Sequence, residues 1–273
     1  MKKGQIDIKI YTLLSTLTTG ILILYLIGFI VINGGSTISL DFLTSKPMGM
    51  PLGSKGGIYP ALIGSLYFGL IALISAGTFA LSTSIYISFF CKSNTIKGFL
   101  RTIIGIIAGI PSIVLGLFGY GFFVVTMDFG LSILSGGLVL GIMIFPYIEV
   151  RLEKSFSEID KNLLSASYAL GVNKTYTFLN IILPATFKDI LSSLCLGLSL
   201  ALGASAPILV TGAVTYAKVP NSIMSPAMAL PVHLYYLIAE GISVESAYGT
   251  AFVMIIILFI LNSIPFLFSK EKV

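Results

Sequence analysis

Six stretches of the chain, at about 11–32, 61–90, 102–126, 131–148, 190–214 and 247–268, contain no Asp, Glu, Lys or Arg. A hydrocarbon core about 30 Å thick needs roughly 20 helical residues at 1.5 Å each, so every run is long enough, or nearly so, to cross a bilayer. Such runs must be helical, because a backbone facing lipid has to satisfy its own hydrogen bonds. The fourth run is short and the second long, which suggests one short helix and one tilted helix. Only 27 of the 273 residues are charged, against about 25% in soluble chains. A soluble, disordered or collagen-like protein is excluded, and a multi-pass membrane protein of all-α class is expected.

The breaks carry their own signals. Gly56-Gly57 is a flexible turn, and Pro60 stands where a helix can begin, since its missing N–H would be unpaired there anyway. Asp128-Phe129-Gly130 is a tight connection that would fold the third and fourth helices into a hairpin. With the N-terminus inside, 13 of the 16 Lys and Arg fall in inner segments, and only Lys46, Lys55 and Lys218 lie outside. That asymmetry predicts an N-in, C-in, six-span topology. It also accounts for the net charge of +5 without a nucleic-acid partner. The run after Lys2-Lys3 exceeds a signal-peptide core and no A-x-A-like site follows, so it reads as a retained first span.

Chemistry-bearing motifs are absent from the sequence. There is no GxxxxGK[ST] loop to hold ATP, no HExxH and no GxSxG. Cys91 and Cys195 make no metal pattern, and His233 is a lone imidazole expected at the outer membrane surface. No carboxylate falls inside an apolar run to mark a proton or sodium relay. Neither catalysis, a cofactor nor a metal is expected in this chain. It reads as the wall of a pathway driven from elsewhere.

The longest polar segment, 149–189, lies inside. It divides into a helix over about Ile159–Leu170, with Leu163, Ser167 and Leu170 at helical spacing, and a second from Lys174 to about Ile182. Gly171 supplies a positive-φ turn, Asn173 an N-cap, and Leu183-Pro184 a stop. A compact knob for a partner groove and an amphipathic loop on the membrane surface suit these residues equally.

Ser165-Ala166-Ser167-Tyr168-Ala169-Leu170-Gly171, followed by Ile181-Ile182-Leu183-Pro184, resembles the EAA loop of ABC importer permeases, EAA-x3-G-x9-I-x-LP. Ser165 and Ser167 depart from its Glu and second Ala. Three more segments narrow the resemblance: Ala108-Gly109-Ile110-Pro111-Ser112-Ile113-Val114-Leu115-Gly116-Leu117-Phe118-Gly119, Gly203-Ala204-Ser205-Ala206-Pro207-Ile208-Leu209 and Ala229-Leu230-Pro231-Val232-His233-Leu234-Tyr235. With Gly56–Tyr67, they are similar to segments of the PstA-type permeases of phosphate ABC importers. The resemblance implies a type I ABC importer permease fold whose domain spans 56–268. The 1–55 segment would be an N-terminal helix and external loop, and 269–273 a cytoplasmic tail.

It further implies a cell-membrane complex with a paralogous permease, an ABC ATPase dimer that binds the ATP, and an external phosphate-binding protein. Ser165, Ala166, Ser167, Gly171, Ile181, Leu183 and Pro184 would form the ATPase-coupling loop. Pro111 kinks the third span, and Gly203 to Pro207 repeat the arrangement in the fifth. Gly105-xxx-Gly109 and Gly137-xxx-Gly141 let helices approach closely. Plain helix packing explains these small residues, and so does a narrow anion path lined by Ser112 and Ser205.

The outer stretch Pro226 to Gly241 is too short to span, and either lies at the interface or re-enters. Permeases of this type usually carry R-x-x-x-E-T-A-P in the fifth span, where this chain has Leu200 and Ala204. The paralogous permease would then supply the basic residue. The alternatives are another oxyanion, such as sulfate, molybdate or tungstate, or a membrane scaffold without a path.

Overall fold

The computed structural model describes residues 3–268. The 269–273 tail and the side chains of Leu163 and Tyr168 lie outside the described residues. In chain order the helices are α1 (Lys3–Gly35), α2 (Leu40–Thr44), α3 (Tyr59–Ile85), α4 (Asn94–Gly109), α5 (Ser112–Gly119), α6 (Ile133–Ser157), α7 (Lys161–Ala169), α8 (Lys174–Thr177), α9 (Leu183–Gly203), α10 (Ala206–Leu209), α11 (Leu230–Ala239) and α12 (Val244–Leu267). A two-stranded antiparallel hairpin, β1 (Pro47–Met48) with β2 (Lys55–Gly56), joins α2 to α3. Among the described residues, five helical stretches are long and apolar enough to cross a membrane, and a bent pair makes a sixth.

The centre of the fold is α3 packed along α6, and glycines set how closely they approach. A Cβ on Gly137 would strike Ile71 at 2.7 Å, and one on Gly141 would strike the Ser75 hydroxyl at 2.2 Å. The expected close approach at this pair is therefore present. Gly105 and Gly109 differ, because added Cβ atoms there meet nothing within 4 Å. They do not mediate packing within this chain. α9 closes the third side of the core, with Gly197 against Ile148. α1 leans on α12, where Phe29 meets Tyr248 edge-on at 5.6 Å.

Three of the expected helices take a different course. The third run breaks at Ile110-Pro111, and its halves α4 and α5 (the latter extended by a widened turn to Thr126) are bent by 97°. Pro111 lacks an N–H and holds ψ at 136°, while Ile110, the residue before it, is extended at ψ 127°. Both residues leave the helical region, so an expected kink becomes a full break. The fifth run ends as a continuous helix at Gly203, because Ala204 is extended at ψ 123° ahead of Pro207. Only the single turn α10 follows, and 210–214 are not helical.

At the other end, Leu183-Pro184 does not stop a helix. Pro184 stands in the first turn of α9, where its missing N–H costs nothing. A widened π turn, Phe178–Ile182, lets the chain run helically from Lys174 to Gly203. The fourth helix is also longer than its apolar run, because α6 continues through Arg151, Glu153 and Lys154. That extension places Glu149, one residue past the apolar run, on the buried face of α6.

The loop between α2 and α3 behaves as its residues suggest. Gly56 has φ +86° in the hairpin, and Pro60 begins α3. The tight turn between α5 and α6 uses positive φ at Asp128 and Gly130, and Ser132 caps α6 through the Ser135 N–H. α11 is ten residues long and buries Leu230, Pro231, Val232, His233 and Leu237. His233, only 4% exposed, is thus a packed residue and not a surface one. The apolar face on either side of it draws it in.

Candidate functional site

The two broken helices meet. Gly116 on α5 lies against Pro207 on α10, so close that a Cβ would stand 3.0 Å from the Pro207 Cα and 3.1 Å from its carbonyl oxygen. The Gly-Ile-Pro-Ser and Gly-Ala-Ser-Ala-Pro segments, far apart in sequence, are therefore neighbours. Beside the first break opens a cavity of about 320 Å3, lined by Ile107, Ala108 and Ile110 of the α4 end, Ser112 and Leu115 of α5, Met143 and Tyr147 of α6, and Leu200 of α9. Ser112 and Tyr147 contribute hydroxyls. Leu200, 38% exposed, turns toward this space with no charged residue among the lining.

Electrostatics at this cavity come from the backbone. Ser112 opens α5, so the first amides of that helix have no intrahelical acceptors, and its dipole puts partial positive charge at this end. Ser112 is half-buried and Ile113 exposed, and discontinuous helices whose N-termini line a cavity within a span are suited to anionic groups. Of the other residues expected on a path, Pro207 is buried and Ser205 half-buried, while Gly203 is exposed at the end of α9. Ser205 and Gly203 do not line the cavity with Ser112.

Between α6 and α9, α7 and α8 form a helix-turn-helix knob. Gly171 takes φ +76° between them, and the Asn173 side chain accepts from the Tyr176 N–H. The buried Ser167 hydroxyl lies 2.6 Å from that of Thr177, a bond across the glycine turn that locks the two helices together. Ser167, a departure from the EAA pattern, thus has a local role that alanine could not fill. Ser165, Ala166, Ala169 and Leu170 face outward, Leu170 at 84% exposure. Leu170 stands at the tip, because α7 ends at Ala169.

Ile181 and Leu183 are half-buried and Pro184 exposed, all on the helix that leaves the knob for the membrane. They belong to the stem and not to the tip. The stem is anchored by Phe89, Phe156 and Phe178, whose ring centroids stand 5.5 to 6.3 Å apart. Ser155 donates to Asp189 at 2.9 Å, and Arg151 to Ser192 at 2.8 Å, tying α6 to α9.

Several of these features were not signalled in the sequence. Tyr147 carries no motif, and its place in the cavity follows from helix register alone. The Arg101–Glu153 ion pair, 2.9 Å at Nε, joins residues 52 apart in the chain.

Comparison with known proteins places these features in a family. Residues 80–270 match the family model described as binding-protein-dependent transport system inner membrane component. The chain is 27% identical over 252 residues to a probable ABC transporter permease, YqgI of Bacillus subtilis, covering 87% of this chain and 85% of that one. It is 30% identical to the phosphate transport system permease PstA 2 of Mycobacterium bovis (77% and 70% covered). The probable phosphate permease PstA of Methanocaldococcus jannaschii is also 30% identical (75% and 73% covered). Among solved structures, the inward-facing MetNI methionine ABC transporter matches with a TM-score of 0.64 at 14% identity, over 81% of this chain and 97% of that one. An amino acid ABC transporter matches with a TM-score of 0.56 at 18% identity, over 77% and 91%.

Proposed function

The chain belongs to the binding-protein-dependent transport family of inner-membrane components, and from that premise we propose that it is one wall of an importer for inorganic phosphate. As an ABC importer permease it is a multi-pass membrane subunit, and ATP hydrolysis is the work of a separate ATPase. The substrate reading is supported by the relatives named as phosphate permeases at 30% identity. The observation that carries it is the cavity at the broken third span, where hydroxyls and a helix N-terminus meet with no carboxylate to repel an anion.

In this reading Pro111, Ser112, Gly203, Ser205 and Pro207 shape the path, within a permease domain at 56–268. Leu200 and Ala204 leave the cavity without a cation of its own. Removing an Arg from mid-span relieves about 2.5–3.5 kcal/mol on insertion scales, and losing its Glu partner as well leaves no unpaired charge. The basic residue then comes from a paralogous permease across a heterodimer interface. Both ends of this chain face the cytoplasm, as the basic residues require.

The knob of α7 and α8 docks on the ATPase through Ser165, Ala166 and Gly171. From Lys174 to Gly203 one 30-residue helical stretch leads from the knob to the path, roughly 45 Å at 1.5 Å per residue. A displacement at the ATPase is carried along it to Leu200 without an intervening loop.

The missing Arg and Glu favour one second reading, an importer for another oxyanion. The test is uptake by the complex reconstituted with its own binding protein. Saturable uptake of labelled phosphate, uncompeted by sulfate, molybdate or tungstate, is expected. Preference for one of those anions would overturn the phosphate reading and leave the permease role standing.

A further inference from the structure

Glu149 is fully buried on α6, and neither of its carboxylate oxygens has a hydrogen-bond partner among the described residues. A carboxylate withdrawn from water without donors is among the costliest groups a fold can hold. The two charged side chains that act on it electrostatically are Glu153 and Arg101. Arg101, on α4, bonds Glu153 through Nε at 2.9 Å and Nη2 at 2.5 Å. Both bonds go to one oxygen of Glu153, and the Arg101 side chain is more than half exposed. Glu149 and Glu153 stand four residues apart on one helix, so their side chains share a face about one turn apart. The guanidinium is thus one helical turn from a second carboxylate that lacks only donors, and its planar fork suits both oxygens at once.

Within this chain the helix that carries Arg101 is lightly packed. Of the sixteen residues of α4, only Ile104 is buried, and the helix ends at the Ile110-Pro111 break. We propose that Arg101 is a two-position latch, paired with Glu153 in the conformation seen here and with Glu149 after α4 slides about one turn outward along α6. The last turn of α4, with Ile107, Ala108 and Ile110, walls the cavity at the break, so the same slide reshapes it. That consequence rests on the cavity being the path; the latch itself does not.

The test uses the full complex in lipid nanodiscs, in a Cys91→Ala, Cys195→Ala background. Spin labels at Thr95→Cys, exposed on α4, and Leu131→Cys, exposed at the outer start of α6, bracket the slide along its axis. Pulsed dipolar spectroscopy is run without nucleotide and after trapping with ATP and vanadate. Two distances separated by about 5 Å, one helical turn, are expected, the shorter enriched on trapping. Glu149→Gln should deplete the shorter population at least tenfold, and Glu153→Gln should enrich it.

Opposite shifts from two neighbouring carboxamides are not the signature of general loosening. If Glu149→Gln fails to insert, the Glu153→Gln enrichment still decides the matter. A single distance in every nucleotide state, or the same shift from both variants, would overturn the latch. Because the readout does not depend on the solute carried, it stands or falls separately from the phosphate assignment.

Discussion

Gly171 offers a graded test of the coupling role proposed for the knob, because its cost of substitution is purely conformational. Its φ is +76°, and a Cβ added there meets nothing within 4 Å. No clash therefore contributes, and the penalty is that of an L-residue in the left-handed region, about 1–2 kcal/mol. Asn, which visits that region routinely, should cost far less, while a β-branched Val should stand at the top of the range. If the turn holds the docking geometry, 1–2 kcal/mol lowers its population roughly 5- to 30-fold. Binding-protein-stimulated ATP hydrolysis by the reconstituted complex should fall by that factor for Gly171→Val and by less for Gly171→Ala. Gly171→Asn should stay within about twofold. Membrane insertion, followed by the amount of folded chain in detergent, should be equal in all three. Wild-type coupling with Val would refute the reasoning. So would an Asn variant as impaired as Val, since a contact and not a conformation would then be at stake.

Other outcomes follow from single features of the structure. Gly116→Val should push α5 off Pro207 and Val210 at a cost of about 1–3 kcal/mol, abolishing uptake while the chain still inserts. Burial lowers the His233 imidazole from 6.5 to about 4; between those values the unfolded chain binds a proton that the folded one refuses. Stability should be complete above about pH 6.5 and fall toward pH 4 by up to about 3 kcal/mol, a slope in thermal unfolding that His233→Gln should remove. A reporter fused after Val273 should be cytoplasmic and one inserted near Lys55 external, and the reverse would overturn the N-in, C-in orientation.

Much of the fold was legible because lipid imposes one rule on every spanning segment, and helices cover most of the six charge-free runs. The glycine turn at 171, the Asn173 cap and Pro60 at a helix start were equally readable, since each is decided by local backbone chemistry. Breaks were read less well. Pro111 and Pro184 look alike in sequence. One ends a helix because its neighbour leaves the helical region, and the other begins a helix beyond a π turn that only tertiary packing reveals. Apolar runs also hide helix ends, as at Gly203, where hydropathy continues and helicity does not. Glu149 escaped notice because the apolar run stops one residue before it, while α6 does not. The meeting of Gly116 with Pro207 depends on how two broken helices cross, which no local pattern encodes.

The central claim is that the cavity at the broken third span is part of the translocation path, and thiol accessibility tests it directly. In the cysteine-free background, Ser112→Cys and Leu200→Cys are each placed in the reconstituted complex, with Phe79→Cys as a control. Phe79 is exposed and lines a neighbouring, apolar groove between α3, α4 and α6 that shares only Ile107 with the cavity. A membrane-impermeant, charged thiol reagent is applied from either side, without nucleotide and after trapping with ATP and vanadate. Ser112→Cys and Leu200→Cys should react from one side in the first state and from the other in the second, and Phe79→Cys from neither. Labelling of 112 and 200 that never changes sides, or that fails from both, would contradict the path.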